Sequence, residues 1–141
     1  MSSAIFDASV FVPLFVEMET SAPALRCAEQ YEVVSLDHAT IETANAFTRQ
    51  VRTKRLAAED AVVAYRSLVK MVRWLPALPL VEDAFSLAIA LDHAVYDCLY
   101  VAAARDNQLP LITADKKLAR KFQDTLAGRI IDLYDMPETL P

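Results

Sequence analysis

Glycine is almost missing from this chain, with one residue, Gly128, among 141. A Gly-rich phosphate loop of the dinucleotide or P-loop type needs several glycines for close backbone approach, so purine-nucleotide cofactors held that way are excluded. Cysteine is nearly as scarce. Cys27 and Cys98 lie far apart, lack a C-x-x-C partner and fall in apolar helical patterns. They read as buried thiols in a reducing cytoplasm, and neither a zinc knuckle nor a disulfide framework can be built from them. The only two histidines, His38 and His93, form no H-E-x-x-H or comparable pair and read as capping or core residues rather than metal ligands. No apolar run approaches the ~18 residues of a membrane helix, and the N-terminus lacks the charged region and apolar core of a signal peptide. A cytosolic protein with no membrane partner is expected. Linkers, repeats and low-complexity tracts are also missing.

What is present is apolar: 55% of the residues are hydrophobic, enough for one well-filled domain spanning 1–141. The net charge of -5 argues against a general nucleic-acid coat but says little about local patches. Taken in order, Ser3 to Phe6 is a short apolar run expected to form a buried strand, followed by Asp7-Ala8-Ser9. Ser9 is placed to cap a helix from Val10 to Val16, with Pro13 tolerated near its first turn. A second helix is expected from Ser21 to about Gln30, and a strand from Tyr31 to Leu36.

Asp37 then reads as the cap of a helix from about Ala39 to Lys54, with Ile41, Ala44, Phe47 and Val51 at core spacing. The helix from about Ala57 to Arg73 carries Val62, Tyr65, Leu68, Val69 and Val72 on one face, so the two form a hairpin. Trp74 to Leu80, with two prolines, is a loop or edge strand. Trp74, Tyr65 and Phe47 read as core. Helices from Glu82 to Leu91 and from Tyr96 to about Asn107 follow, then the strand Leu111 to Thr113. A last helix from Lys116 to about Ala127 is closed by Gly128, and Ile130 to Leu133 makes the final strand. Strands separated by helices imply an α/β fold on a parallel sheet.

Chemistry gathers where these strands end. Asp7 and Asp115 each follow a short apolar strand, at the carboxyl edge where open parallel sheets bind ligands. Asp97 opens the helix that leads to the Asp115 strand, and Glu42 lies near the start of the helix after the Tyr31 strand. All four acids are placed to reach one cleft. Acids so gathered raise each other's pKa unless a cation neutralises them, and Mg2+ or Mn2+ suits hard oxygen donors. Two such ions about 3.5–4 Å apart would activate a water and stabilise the leaving oxygen of a phosphodiester. Taken singly, Asp97 and Asp115 are equally well explained as helix caps, and Glu42 with Asn45, Arg49 and Arg52 as a solvated stripe. Ser9 and Thr113 flank the acids, either to orient a water or to cap. Lys116, Lys117, Arg120 and Lys121 oppose the dipole of a helix start, which a function near Asp115 such as holding an RNA phosphate would explain, and a solubilising surface explains them equally well; Arg49 and Arg52 are a second such pair.

The chain resembles the PIN-domain family, and within it the VapC-type ribonuclease toxins of toxin-antitoxin pairs. The resemblance rests on Asp7-Ala8-Ser9 after the first strand and on Ile41-Glu42-Thr43-Ala44-Asn45-Ala46. It continues in Tyr96-Asp97 with Tyr100-Val101-Ala102-Ala103, and in Leu111-Ile112-Thr113-Ala114-Asp115-Lys116-Lys117-Leu118. It implies a three-layer α/β/α sandwich with a five-stranded parallel sheet, and Asp7, Glu42, Asp97 and Asp115 as an acidic quartet around one or two Mg2+ or Mn2+ ions. Ser9 and Thr113 would support that site. It further implies cleavage of a structured RNA such as a transfer or ribosomal RNA, a homodimer built through the early helices, and silencing by a small antitoxin. Cys98 and Ala94 depart from the residues common at their positions, and neither change removes a ligand. Phosphoacceptor domains and Asp-x-Asp phosphatases would need a second acid beside Asp7. A non-catalytic PIN-like binding module would need a degraded quartet.

Overall fold

A computed structural model describes residues 1–136; the last five residues of the single domain expected over 1–141 lie outside the described residues. Five strands form one all-parallel sheet: β1 (Ser3–Phe6), β2 (Glu32–Leu36), β3 (Arg73–Leu75), β4 (Leu111–Thr113) and β5 (Ile130–Asp132), in the order β3-β2-β1-β4-β5. Helices cover both faces, giving the three-layer sandwich. The helices are α1 (Ser21–Gln30), α2 (His38–Arg52), α3 (Ala58–Met71), α4 (Val81–Leu91), α5 (Val95–Asn107) and α6 (Lys116–Lys121).

The order of the strands places the site. From β1 the chain moves outward through β2 to β3, then returns to the other side of β1 with β4 and β5. The crossovers therefore diverge between β1 and β4, which pair directly through Ile5 with Leu111 and Phe6 with Ile112. A cleft opens beyond such a switch point. Central β1 has no accessible surface at Ala4, Ile5 or Phe6, and α5 is buried continuously from Cys98 to Ala104. Three consecutive alanines at 102–104 leave room for α5 to lie close against its neighbours, β1 and α4 among them. No single helix among the described residues is long and apolar enough to cross a membrane.

Local structure departs from the sequence expectation in four places. The Val10–Val16 helix is instead two 3-10 turns, Ala8–Val10 and Val12–Leu14, because Pro13 lacks the N–H that would continue a helical ladder. Ser9 is inside the first turn and Asp7 is its cap. Asp37 occupies the N-cap position of α2, but its side chain makes no capping bond there; its carboxylate accepts the Ala77 N–H at 3.1 Å, tying α2 to the segment after edge strand β3. Finally, α6 stops at Lys121 rather than Ala127. Phe122 and Leu126 remain buried, but Asp124 and Thr125 are weak helix formers, and the chain tightens into turns ending in Gly128 at φ +77°.

The α2–α3 hairpin forms, yet its buried face is not the expected one. Ala39, Thr43 and Phe47 point inward, while Ile41 is 73% exposed and Val62, Tyr65 and Val69 also reach solvent. Trp74 is half-buried, with its indole N–H bonded to the Val69 carbonyl. Both cysteines are buried, and burial pushes each thiol up to about 11. An aromatic disulfide reagent at pH 8 is therefore expected to leave both unmodified in native protein and to titrate both in denaturant. Rapid labelling of native protein would contradict this packing.

Candidate active site

Asp7 is the centre of a hydrogen-bonded cluster at the β1–β4 switch. It is 4% exposed, and its Oδ1 accepts the Ser9 N–H at 2.9 Å and the Ser9 hydroxyl. Its Oδ2 accepts the Thr113 hydroxyl. Both hydroxyls also tie down the other half of the site: Ser9 Oγ accepts the Ala114 N–H and Thr113 Oγ1 the Asp115 N–H, each at 2.9 Å. Ser9 and Thr113 thus link the carboxyl ends of β1 and β4 through Asp7.

Asp115 follows β4 and caps α6, accepting the Lys117 and Leu118 N–H groups on Oδ1 at 3.0 and 3.1 Å. Asp97 is no cap; it sits in the first turn of α5, where Oδ2 meets His93 Nε2 at 2.8 Å. Glu42, on α2, accepts the Tyr100 hydroxyl on Oε1 at 3.0 Å. His38 Nε2 approaches the same Oε1 at 2.9 Å without hydrogen-bond alignment, so that pair attracts only when the imidazole is protonated. Tyr100 therefore joins α5 to α2 across the site.

Electrostatics couples the four acids. Burial pushes Asp7 up to about 7, with repulsion from Asp97 adding to it and the bonds from Ser9 and Thr113 opposing it. Asp97 is also raised, first by burial and then by Asp115 and Glu42, against the pull of His93. Burial raises the Tyr100 hydroxyl, and the charges of Glu42 and Asp7 raise it further, so it remains a donor.

Among the described residues no three His, Cys, Asp or Glu side chains gather closely enough to hold one ion between them. However, among the described residues every hydrogen bond and ion pair to Glu42, Asp97 and Asp115 falls on one oxygen, Oε1, Oδ2 and Oδ1 respectively. The second oxygen of each is left over. Hard oxygens offered one at a time fit Mg2+ or Mn2+, which bind through one or two carboxylates and keep several waters. They do not fit a closed protein cage.

Two clefts flank the cluster. One, of about 360 Å³, is lined by Asp92, His93, Ala94, Asp97, Asp115 and Lys117. The other, of about 430 Å³, includes Ser9, Glu42, Arg49, Gln50, Ala114 and Tyr134. Of the expected cations, Arg49 thus shares a cleft with Glu42, and Lys117 one with Asp97 and Asp115. Lys116 instead lies over the Tyr134 ring, 4.6 Å from its centre, at the edge of the Arg49 cleft. Lys121 donates to the Asp92 carbonyl at 2.8 Å, and Arg120 and Arg52 are exposed.

Sequence reasoning missed three of these side chains. Tyr100 was hidden inside an apolar run. His38 and His93 neither cap nor fill the core alone; each precedes an acid by four residues, His38 at the start of α2 and His93 in the loop just before α5, a spacing that was visible as an i,i+4 pair.

Comparison with known proteins places the fold. The PIN domain family model matches residues 4–122. Ribonuclease VapC3 of Pyrobaculum aerophilum is 34% identical over 122 residues, covering 84% of this chain and 93% of that protein. Among solved structures, PAE2754 from Pyrobaculum aerophilum superposes with a TM-score of 0.72 at 20% identity, over 94% of this chain and 85% of its own. A toxin-antitoxin complex from Klebsiella pneumoniae gives 0.68 at 16% identity, over 95% of this chain and 100% of that one. VapC20 of Mycobacterium tuberculosis, a toxin that cleaves the sarcin-ricin loop, gives 0.66 at 19% identity over 99% and 100%. These likenesses concern the fold as a whole.

Proposed function

The chain belongs to the PIN-domain family, and from that premise we propose that it is a VapC-type toxin, a divalent-metal-dependent endoribonuclease whose single domain spans 1–141. The observation that carries this reading is the leftover oxygen on each of Glu42, Asp97 and Asp115, set around buried Asp7 at the switch point of the sheet. The ribonuclease name of a relative similar along nearly its whole length supports the reaction class. The toxin-antitoxin neighbour supports a small antitoxin as partner.

In this proposal Asp7, Glu42, Asp97 and Asp115 hold one or two Mg2+ or Mn2+ ions. When bound, such an ion supplies Lewis-acid activation of water and neutralises charge on the phosphodiester. The chain's own part is positional. Ser9 and Thr113 fix Asp7, and the α6 N–H groups fix Asp115. Arg49, Lys116 and Lys117 border the clefts and hold the RNA backbone. Two separate apolar surfaces face solvent: the α2–α3 cleft with Ala44, Val51, Val62 and Tyr65, and the α4 side with Leu78, Phe85 and Ile89. An antitoxin and a second copy of the chain give a reason for both.

The test is incubation of total cellular RNA with protein freed of any copurified antitoxin, with Mg2+ or Mn2+ against chelator. Discrete fragments that require metal are expected, and their ends would name the target RNA. Intact RNA under all conditions would overturn the nuclease reading in favour of a binding module. Arg49→Ala is expected to raise KM several-fold, leave kcat nearly unchanged, and flatten the salt dependence of KM by about one phosphate contact. An unaltered salt slope would remove Arg49 from the RNA path.

A further inference from the structure

Both histidines of this chain stand four residues before an acid of the quartet, His38 on α2 and His93 in the loop that leads into α5, and they are not equivalent. Glu42 is held by the Tyr100 hydroxyl whether or not His38 contributes. Asp97 has one partner among the described residues, His93. The His93 side chain is 7% exposed, its ring stands edge-on to Phe122 with centres 5.3 Å apart, and it lines the same cleft as Asp97, Asp115 and Lys117. An ionised carboxylate only accepts, so Nε2 must be the donor in this 2.8 Å contact.

We propose that His93 is a positioning residue for the cleavage reaction: clamped against Phe122, its imidazole commits Asp97 Oδ2 to a fixed hydrogen bond and presents Oδ1 as the oxygen available to a divalent ion. The physical basis is rotational. A carboxylate bonded at neither oxygen turns about its Cβ–Cγ bond, and a cation recruiting it must also order it. A ring held by packing removes that freedom beforehand. Supports of this kind typically change metal affinity or activity by 10–100-fold when lost. The inference rests on Asp97 being a ligand, as proposed above.

The test is Mn2+ affinity, measured by calorimetry on purified protein without RNA, for wild type, His93→Gln, His93→Asn and His93→Leu, with thermal melting as a fold control. Gln can carry an N–H donor toward Asp97 and is expected to keep Mn2+ affinity within about threefold. Asn is a donor too short to reach, and Leu keeps an apolar contact with Phe122 but donates nothing; both are expected to bind Mn2+ about 10–100-fold more weakly. RNA cleavage by Asn and Leu should then recover at raised Mn2+. If Leu fails to fold, the Gln–Asn comparison decides. Equal affinity in Gln and Asn, or wild-type affinity in Leu, would overturn the proposal. Unchanged Mn2+ binding in Asp97→Asn would instead overturn the underlying ligand assignment, so the two failures are distinguishable.

Discussion

Asp97→Asn is expected to lower RNA cleavage by about 10³-fold or more while the protein folds normally. At about 1.4 kcal/mol per factor of ten, this corresponds to about 4 kcal/mol of lost transition-state stabilisation. The substitution is chosen for its shape. The amide oxygen can still accept from His93, so the helix start of α5 is undisturbed, while the amide nitrogen replaces the second carboxylate oxygen with a donor that repels a cation. Removing this charge also relieves repulsion on Asp7, because Asp97 is one of the groups raising it. The melting temperature of the metal-free variant should therefore equal or exceed wild type. Cleavage within tenfold of wild type, at equal metal, would remove Asp97 from the site.

The second large effect concerns stability, and its sign depends on metal. Asp7 ionises at about 7 in the folded protein against 3.8 as a free side chain. Below pH 3.8 both states are protonated and nothing is lost. As pH rises from 3.8 to about 7 the unfolded chain sheds its proton first, so metal-free protein is progressively destabilised, by at most roughly 4 kcal/mol once Asp7 is charged in both states. Asp7→Asn abolishes that loss but deprives the Thr113 hydroxyl of its acceptor. The net expectation is a gain of about 1–3 kcal/mol at pH 8, in chelator, and none at pH 5. Saturating Mn2+ should invert the order, because it stabilises wild type by about 2.7 kcal/mol at 100 times its Kd and has lost a ligand in the variant. Urea unfolding at the two pH values, with and without metal, measures all four. A variant less stable than wild type at both pH values in chelator would contradict the assigned cost of burying Asp7.

The sheet was legible because its strands are short apolar runs closed by turn or acidic residues; Ser3–Phe6 before Asp7 and Leu111–Thr113 before Ala114-Asp115 are the clearest cases. The same punctuation exposed the acids. What the pattern concealed was direction on helices. The inward face of α2 carries Thr43, fully buried, so hydropathy pointed to Ile41 and Val51 instead. Ile41 and Val51 match a helical period equally well, but on a face that meets solvent or a partner. Tyr100 was concealed for the opposite reason: an aromatic ring among alanines looks like core, yet its hydroxyl reaches Glu42. The His–acid spacings were readable, yet a four-residue interval is common enough to be passed over, and His93 lies in a loop ahead of α5.

The bond from Thr113 to Asp7 spans 106 residues of chain, and it has a consequence in time. During synthesis Asp7 leaves the ribosome well before Thr113 and Asp115 are made. Contacts so distant in sequence form late. A nascent chain carrying β1 through α5 already holds three acids but lacks the fourth and the hydroxyl that locks the first. Assembly of the four-acid cluster is thus withheld until β4 and Asp115 have emerged, so that a nascent chain short of β4 carries the acids without the bonds that set them.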